Sequence, residues 1–270
     1  MKQSMEKLGF TSLSSDADLF LFRNKNSFVI AIIYVDDAIF CGPLPALVNH
    51  LKEEFKKIWE TRDLGDVTEF LCMRITWSGS KIHLDQCTYL ETVLQRCGMQ
   101  NAKSAAMPLP AGHVPTLSVG APNPEIQSRF QTIIGSLLYL MLGAHPVIAF
   151  AVTKLVQHAA YPSKEHLERA LYICRYLVGT FKYRLTYDGT SSEGISACTD
   201  SDWALDNSTR RSQTSDLPSF ATASDPGPAH SASPPRQRSS HRHDRATASI
   251  PDRFPTISLS LHGSLSEPPH

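Results

Sequence analysis

The sequence predicts an α/β (α+β) protein, and three observations carry that prediction. The stretch 28–40 sets two apolar runs, Phe-Val-Ile-Ala-Ile-Ile and Ala-Ile-Phe, around the adjacent carboxylates Asp36 and Asp37. Such runs, rich in Val and Ile, favour buried strands, and Asp-Asp suits the tight turn of a hairpin between them. Immediately afterwards, Leu44, Leu47, Val48, Leu51, Phe55 and Ile58 recur at helical spacing. Three further helical patterns follow at 125–142, 146–159 and 163–178.

Composition narrows the class. Lysine plus arginine and aspartate plus glutamate number 26 each in 270 residues, so net charge neither favours nor excludes a polyanionic partner. That length leaves room for one or two domains with a core. The character of the chain changes near residue 215: no lysine follows Lys182, and half of the 18 prolines lie beyond that point. Cys41, Cys72, Cys87, Cys97, Cys174 and Cys198 are scattered without a C-x-x-C spacing. This suits reduced thiols in an intracellular protein better than a disulfide framework or a zinc site. The N-terminus lacks the apolar run of a secretory signal, so an intracellular, non-secreted protein of the cytoplasm or nucleus is expected. Segment 133–152 has no formally charged side chain, but Gly143-Ala144-His145-Pro146 interrupts it. Proline breaks a helix there, so two core helices are expected and no membrane span.

In chain order, residues 2–9 read as a helix stopped by Gly9. Residues 19–22 and 29–33 pair as a hairpin across Arg23-Asn24-Lys25-Asn26. On the helix beyond Cys41-Gly42-Pro43, Glu53 and Lys57 are expected to pair. Asp63-Leu64-Gly65-Asp66 turns the chain, and 70–77 with 81–84 form a hairpin around Ser78-Gly79-Ser80. Asp85 is placed to cap a helix through Tyr89, Leu90, Val93 and Leu94 that ends at Gly98. The prolines and glycines of 108–124 mark a linker. Of the helices beyond it, one carries Pro146 in its first turn, and another has Ser163 as N-cap and Gly179 at its end. Residues 183–187 and 194–199 alternate as strands joined through Asp188-Gly189, the second leading to Asp200 and Asp202. From Asp216 onward the chain is rich in Ser and Pro and reads as a disordered tail, in which His241 and His243 are solvated.

Two readings of the Asp36-Asp37 pair stand side by side. One is an ordinary exposed turn. The other is a metal site, because carboxylates are hard oxygen donors of the kind Mg²⁺ takes. The order of motifs decides between them. Tyr34-Val35-Asp36-Asp37 is followed by Leu51-Lys52-Glu53-Glu54-Phe55, Asp63-Leu64-Gly65, Gln86 with Tyr89, Arg96-Cys97-Gly98-Met99 and Met107-Pro108-Leu109. Gly135-Ser136-Leu137-Leu138-Tyr139-Leu140, Ile148-Ala149-Phe150-Ala151-Val152, Pro162-Ser163 with His166-Leu167, and Arg175-Tyr176-Leu177-Val178-Gly179-Thr180 come next. Thr199-Asp200-Ser201-Asp202-Trp203-Ala204 and Thr209-Arg210-Arg211-Ser212 close the series.

Over about residues 1–215 this succession resembles the reverse transcriptase of copia-type long-terminal-repeat retrotransposons, running into the start of ribonuclease H. The resemblance implies a partial palm at 1–107, a linker at 108–124, a helical thumb and connection region at 125–182, the start of a ribonuclease H-like domain at 183–215, and a tail at 216–270. It implies two-metal phosphoryl transfer with Mg²⁺, Asp36 and Asp37 as catalytic metal ligands, and Asp200 as the first acid of an incomplete ribonuclease H set. Tyr34 and Val35 would lie near the primer end, and Met73 and Arg74 where the family grips the primer. The bland reading of 70–75, a plain strand, carries equal weight. Lys154, Arg169 and Arg175, with Lys164, Lys182 and Arg184, would offer a basic face to phosphates, although an ordinary solvated surface is the slightly favoured reading. Implied partners are an RNA/DNA primer–template, nucleotide, and other segments of a polyprotein.

Two departures stand out: Leu71-Cys72 where the family has Leu-Gly, and Ala144-His145-Pro146-Val147 where it commonly has Thr-Arg-Pro-Asp. The family's earlier palm acid has no match, so a fragment without autonomous activity is expected. The alternatives are a non-catalytic nucleic-acid-binding module and a scaffold or membrane protein built around 133–152.

Overall fold

The protein is described here by a computed structural model covering residues 1–110, 123–190, 195–201, 214–220 and 256–262, the last three stretches by their backbone. It is a mixed α+β fold. The apolar run at 28–40 becomes two strands of an antiparallel meander. Helix α1 (Lys2–Lys7) leads through Gly9, at φ +83°, into β1 (Phe10–Ser12), β2 (Leu19–Arg23), β3 (Phe28–Tyr34) and β4 (Asp37–Gly42). Each strand pairs with the next. Burial along β3 alternates, with Val29, Ala31 and Ile33 inward, as a sheet with one face on the core requires.

Helix α2 (Pro45–Ile58) lays Val48, Leu51 and Phe55 on that face, where they join Phe10, Phe20, Phe40 and Trp59 in one core. Phe40 and Phe55 meet edge to face with ring centres 5.3 Å apart. On the polar side of α2 the ion pairs are Glu53–Lys56 and Glu54–Lys57. Lys57 thus turns to Glu54 and not to the expected Glu53; pairs three and four apart are both neighbours on a helix.

A second sheet contains β6 (Glu69–Phe70), β7 (Met73–Ser78), β8 (Lys81–Asp85) and β9 (Leu185–Asp188) in that order. The pairing of β9 differs from the sequence-based expectation. It runs against β8, with Leu185 opposite Leu84, a His83–Thr186 hydrogen bond of 2.9 Å and a Lys81–Asp188 ion pair of 3.2 Å. Residues 185–188 therefore complete a sheet begun near residue 69.

Helices α3 (Cys87–Cys97), α4 (Pro124–Leu142), α5 (Ala149–Val156) and α6 (Lys164–Gly179) share another core, with Leu90, Phe130, Leu137, Leu140, Ile148 and Leu177 at its centre. Helix α3 thus packs with the helices beyond the linker. Asn123 caps α4 through its side-chain oxygen, which accepts from the Glu125 and Ile126 N–H groups. At α6, Ser163 and His166 form a reciprocal capping box. Segment 133–152 breaks at Gly143 and resumes through a 3₁₀ turn at Pro146–Ile148. No helix among the described residues is long and apolar enough to cross a membrane.

Strand β10 (Ile195–Ser201) pairs with β11 (Thr214–Phe220), and β12 (Thr256–His262) runs between β4 and the short β5 (Arg62–Asp63). Most of β11 and all of β12 fall where a disordered tail is expected from composition, so the structure departs from that expectation at these segments. The reason is local: Ile257, Leu259 and Leu261 alternate with Thr256, Ser258 and Ser260. That is a period-two signal within a polar stretch.

Candidate functional site

The β3–β4 hairpin presents the carboxylates at its tip. Tyr34 lies opposite Asp37, leaving Val35 and Asp36 as a two-residue turn. Tyr34, Val35 and Asp36 are exposed and Asp37 is half-buried. Val35 has φ +53°, a left-handed backbone that is an outlier for a β-branched residue. Among the described residues, no group of three or more His, Cys, Asp or Glu side chains is placed to hold a metal ion. Asp36 and Asp37 supply donors of the right chemistry for Mg²⁺, but two adjacent carboxylates do not form a cage for a pair of ions. The set does not fit a two-metal centre.

The second sheet carries the other site residues. Phe70 lies opposite Met73, so Leu71-Cys72 is also a two-residue turn, with φ +49° and +54°. The tight turn that glycine ordinarily serves is therefore formed here without it, and the Tyr139 hydroxyl donates to the Leu71 carbonyl oxygen to hold it. Met73 follows, half-buried. Arg74 reaches the buried Asp85, with Nε and a terminal nitrogen each 3.0 Å from Oδ2. Burial pushes the Asp85 carboxyl up, but hydrogen bonds from the Cys87 thiol and backbone N–H and from Arg74 outweigh it and hold it below its usual range. The Arg74 side chain keeps 55 % exposure, so its other N–H groups face outward. Arg74 lines a cleft of about 430 Å³ with Asp85, Thr88, Glu91, Phe181, Lys182 and Arg184.

Gln86, buried beside this cleft, accounts for its place in the motif series. Its Oε1 accepts from the Ala144 N–H at 2.7 Å. A Cβ at Gly143 would lie 2.4 Å from the Gln86 amide, so only glycine admits this clamp between the start of α3 and the end of α4. Tyr89 packs edge to face on Tyr139 at 4.8 Å. Lys52 and Asp63, from two other motifs, form an ion pair of 2.7 Å. The sequence marks Asp85 as a helix cap and Gln86 as a motif residue, but not their partners Arg74 and the Ala144 N–H. The available signal is a pair of polar residues opening an amphipathic helix.

The helical cations are placed differently from a free basic face. Lys154 is only 6 % exposed, with its ammonium 5.8 Å from the Phe150 ring centre. Arg169 is half-buried and paired with Glu165 at 3.5 Å. Arg175 donates from Nε to the Lys103 carbonyl oxygen at 2.8 Å and lies over Tyr172. Lys154 and Arg169 are engaged within their own helices, and Arg175 ties α6 to the segment at Lys103. Asp200 sits near the end of β10, opposite Ser215 on β11. Asp202 and the Thr209-Arg210-Arg211-Ser212 motif lie outside the described residues.

Residues 1–111 match the family described as Reverse transcriptase (RNA-dependent DNA polymerase), which sets the hairpin and its sheet in that class. The Retrovirus-related Pol polyprotein from transposon TNT 1-94 of Nicotiana tabacum is 33 % identical over 226 residues, 80 % of this chain and 17 % of that one. The corresponding polyprotein from transposon RE1 of Arabidopsis thaliana is 29 % identical over 199 residues, 74 % of this chain and 13 % of that one. An uncharacterized mitochondrial protein of A. thaliana is 34 % identical over 184 residues, covering 68 % of this chain and 75 % of that one. The chain belongs to the copia-type retrotransposon reverse-transcriptase family. It spans less than a fifth of the length of the transposon polyproteins it matches. No solved structure matches it.

Proposed function

We propose that this chain is a reverse-transcriptase fragment of a copia-type retrotransposon polyprotein that binds RNA/DNA primer–template but does not incorporate nucleotide by itself. The observation that carries the reading is the hairpin tip, where Tyr34, Val35 and Asp36 are exposed on a turn with Val35 in a left-handed conformation. Unfavourable backbone of this kind persists where function requires it. In a complete polymerase site, Mg²⁺ would supply Lewis-acid activation of the primer hydroxyl and charge neutralisation at the leaving group. Here Asp36 and Asp37 would hold one divalent ion weakly. Positioning two ions against a primer end and a nucleotide takes further carboxylates, so catalysis needs a contribution from outside the described residues. Asp200, one acid on a two-stranded ladder, is likewise proposed not to support ribonuclease H cleavage.

Nucleic acid is held on the second sheet in this reading. Arg74, oriented by Asp85 and accessible, together with Lys182 and Arg184, offers three cations in one cleft, against the carboxylates of Asp85 and Glu91. Phosphate contacts of this type release counterions, and each one contributes about one unit to the salt slope of binding. Fluorescence anisotropy of a labelled primer–template against rising salt tests the proposal. Binding should weaken steeply with salt, and Arg74→Ala should lower the slope by about one. Salt-independent binding, or a slope unchanged when Arg74, Lys182 and Arg184 are all replaced, would overturn it.

A further inference from the structure

Cys97 is the last residue of α3, and Cys174 lies in α6. The two are 77 positions apart in sequence, yet their sulfurs are 3.9 Å apart within the helical core, the Cys174 thiol donating to Cys97 Sγ. Neither has a part in the polymerase reading. The pair is chemically asymmetric. The Cys174 hydrogen bond and the charges of Arg129 and Arg96 bring the Cys97 thiol below its ordinary value despite burial. Cys174, donating to Cys97 and buried, is pushed strongly up and keeps its proton. Cys97 also retains 5 % exposure where Cys174 has none. A small oxidant therefore meets the more nucleophilic sulfur first.

We propose that Cys97 and Cys174 form a redox-responsive dithiol that hydrogen peroxide converts into a disulfide linking α3 to α6. The Cys97 thiolate attacks one peroxide oxygen; the S–O bond forms, the O–O bond breaks, and hydroxide leaves. Sulfur is thereby oxidised by two electrons to the sulfenic acid, and peroxide is reduced. The Cys174 sulfur then attacks the Cys97 sulfur; the S–S bond forms, the S–O bond breaks, and the Cys174 proton leaves with that oxygen as water. Two thiols and one peroxide give one disulfide and two waters. Closing from 3.9 Å to a bonded separation takes about 1.9 Å, shared between two side chains.

The test uses the full chain, reduced, desalted and exposed to a small excess of hydrogen peroxide. It is then denatured, alkylated and digested without reductant. Mass spectrometry should find the Cys97 and Cys174 peptides joined, lighter by two hydrogens than their sum, and separated again by dithiothreitol. Cys41 and Cys87 should be recovered alkylated. In Cys174→Ala the sulfenic acid on Cys97 should persist long enough for dimedone to trap it. Both peptides recovered fully alkylated, Cys97 recovered as sulfinic acid without a link, or cross-links centred on the exposed Cys72 would each overturn the proposal. The wild-type mapping decides even where the variant fails to fold.

Discussion

Cys72 and His145 lie in the two stretches where the sequence departs from the pattern expected of the family, and each has a physical consequence. Cys72 holds φ +54°, which costs a residue with a Cβ about 1 kcal/mol relative to glycine. Cys72→Gly should therefore raise stability by about that amount in urea titration, and an unchanged or lowered midpoint would contradict the turn geometry. His145, 1 % exposed, has no hydrogen-bond partner on either ring nitrogen among the described residues. Burial lowers its pKa to about 4, against a smaller upward pull from Asp85. The folded state thus disfavours the imidazolium, while the unfolded chain takes the proton near its ordinary value. Stability is full above about pH 6.5 and falls as pH drops towards 4, by up to about 3 kcal/mol. His145→Leu should flatten that window in equilibrium unfolding; an undiminished fall would place the effect elsewhere.

Among the elements, the junction of α3 and α4 depends on two residues acting together. Gln86→Ala leaves the buried Ala144 N–H without its acceptor and should cost about 2 kcal/mol. Gly143→Ala drives a methyl into the Gln86 amide and should also destabilise, but less so in the Gln86→Ala background, where the obstacle is gone. A strictly additive double variant would refute the clamp. Elements with strong periodicity are legible in the amino-acid pattern: β3 from its alternation, α2 from its apolar stripe, α6 from Ser163 and Gly179. The pairing of β9 is not, because the residues it meets on β8 lie about a hundred positions away and no local pattern encodes that distance. The positive φ at Leu71 and Cys72 is masked by side chains that do not ordinarily adopt it. The strand at 256–262 is hidden by the polar composition around it.

Across the whole molecule, the described residues form two cores without shared residues, one under the hairpin sheet and one among α3 to α6. Each core is satisfied by its own apolar faces, so Phe40→Ala and Phe130→Ala should each cost about 3–5 kcal/mol. Their effects should add in a double variant, since the residues have no common partners. The candidate site is legible in the sequence as far as the hairpin, because Asp36 and Asp37 sit between recognisable strands. The roles of Lys154, Arg169 and Arg175 are not, since sequence shows charge but not what each cation packs against. The proposed function keeps the carboxylate tip without two-metal chemistry around it, since among the described residues no third side chain joins Asp36 and Asp37 to hold a metal ion. Primer extension tests that claim most directly: purified, folded chain with a primed RNA template, nucleotides and Mg²⁺ or Mn²⁺. The account predicts no incorporation by the chain alone. Extension that disappears on Asp36→Ala would contradict it.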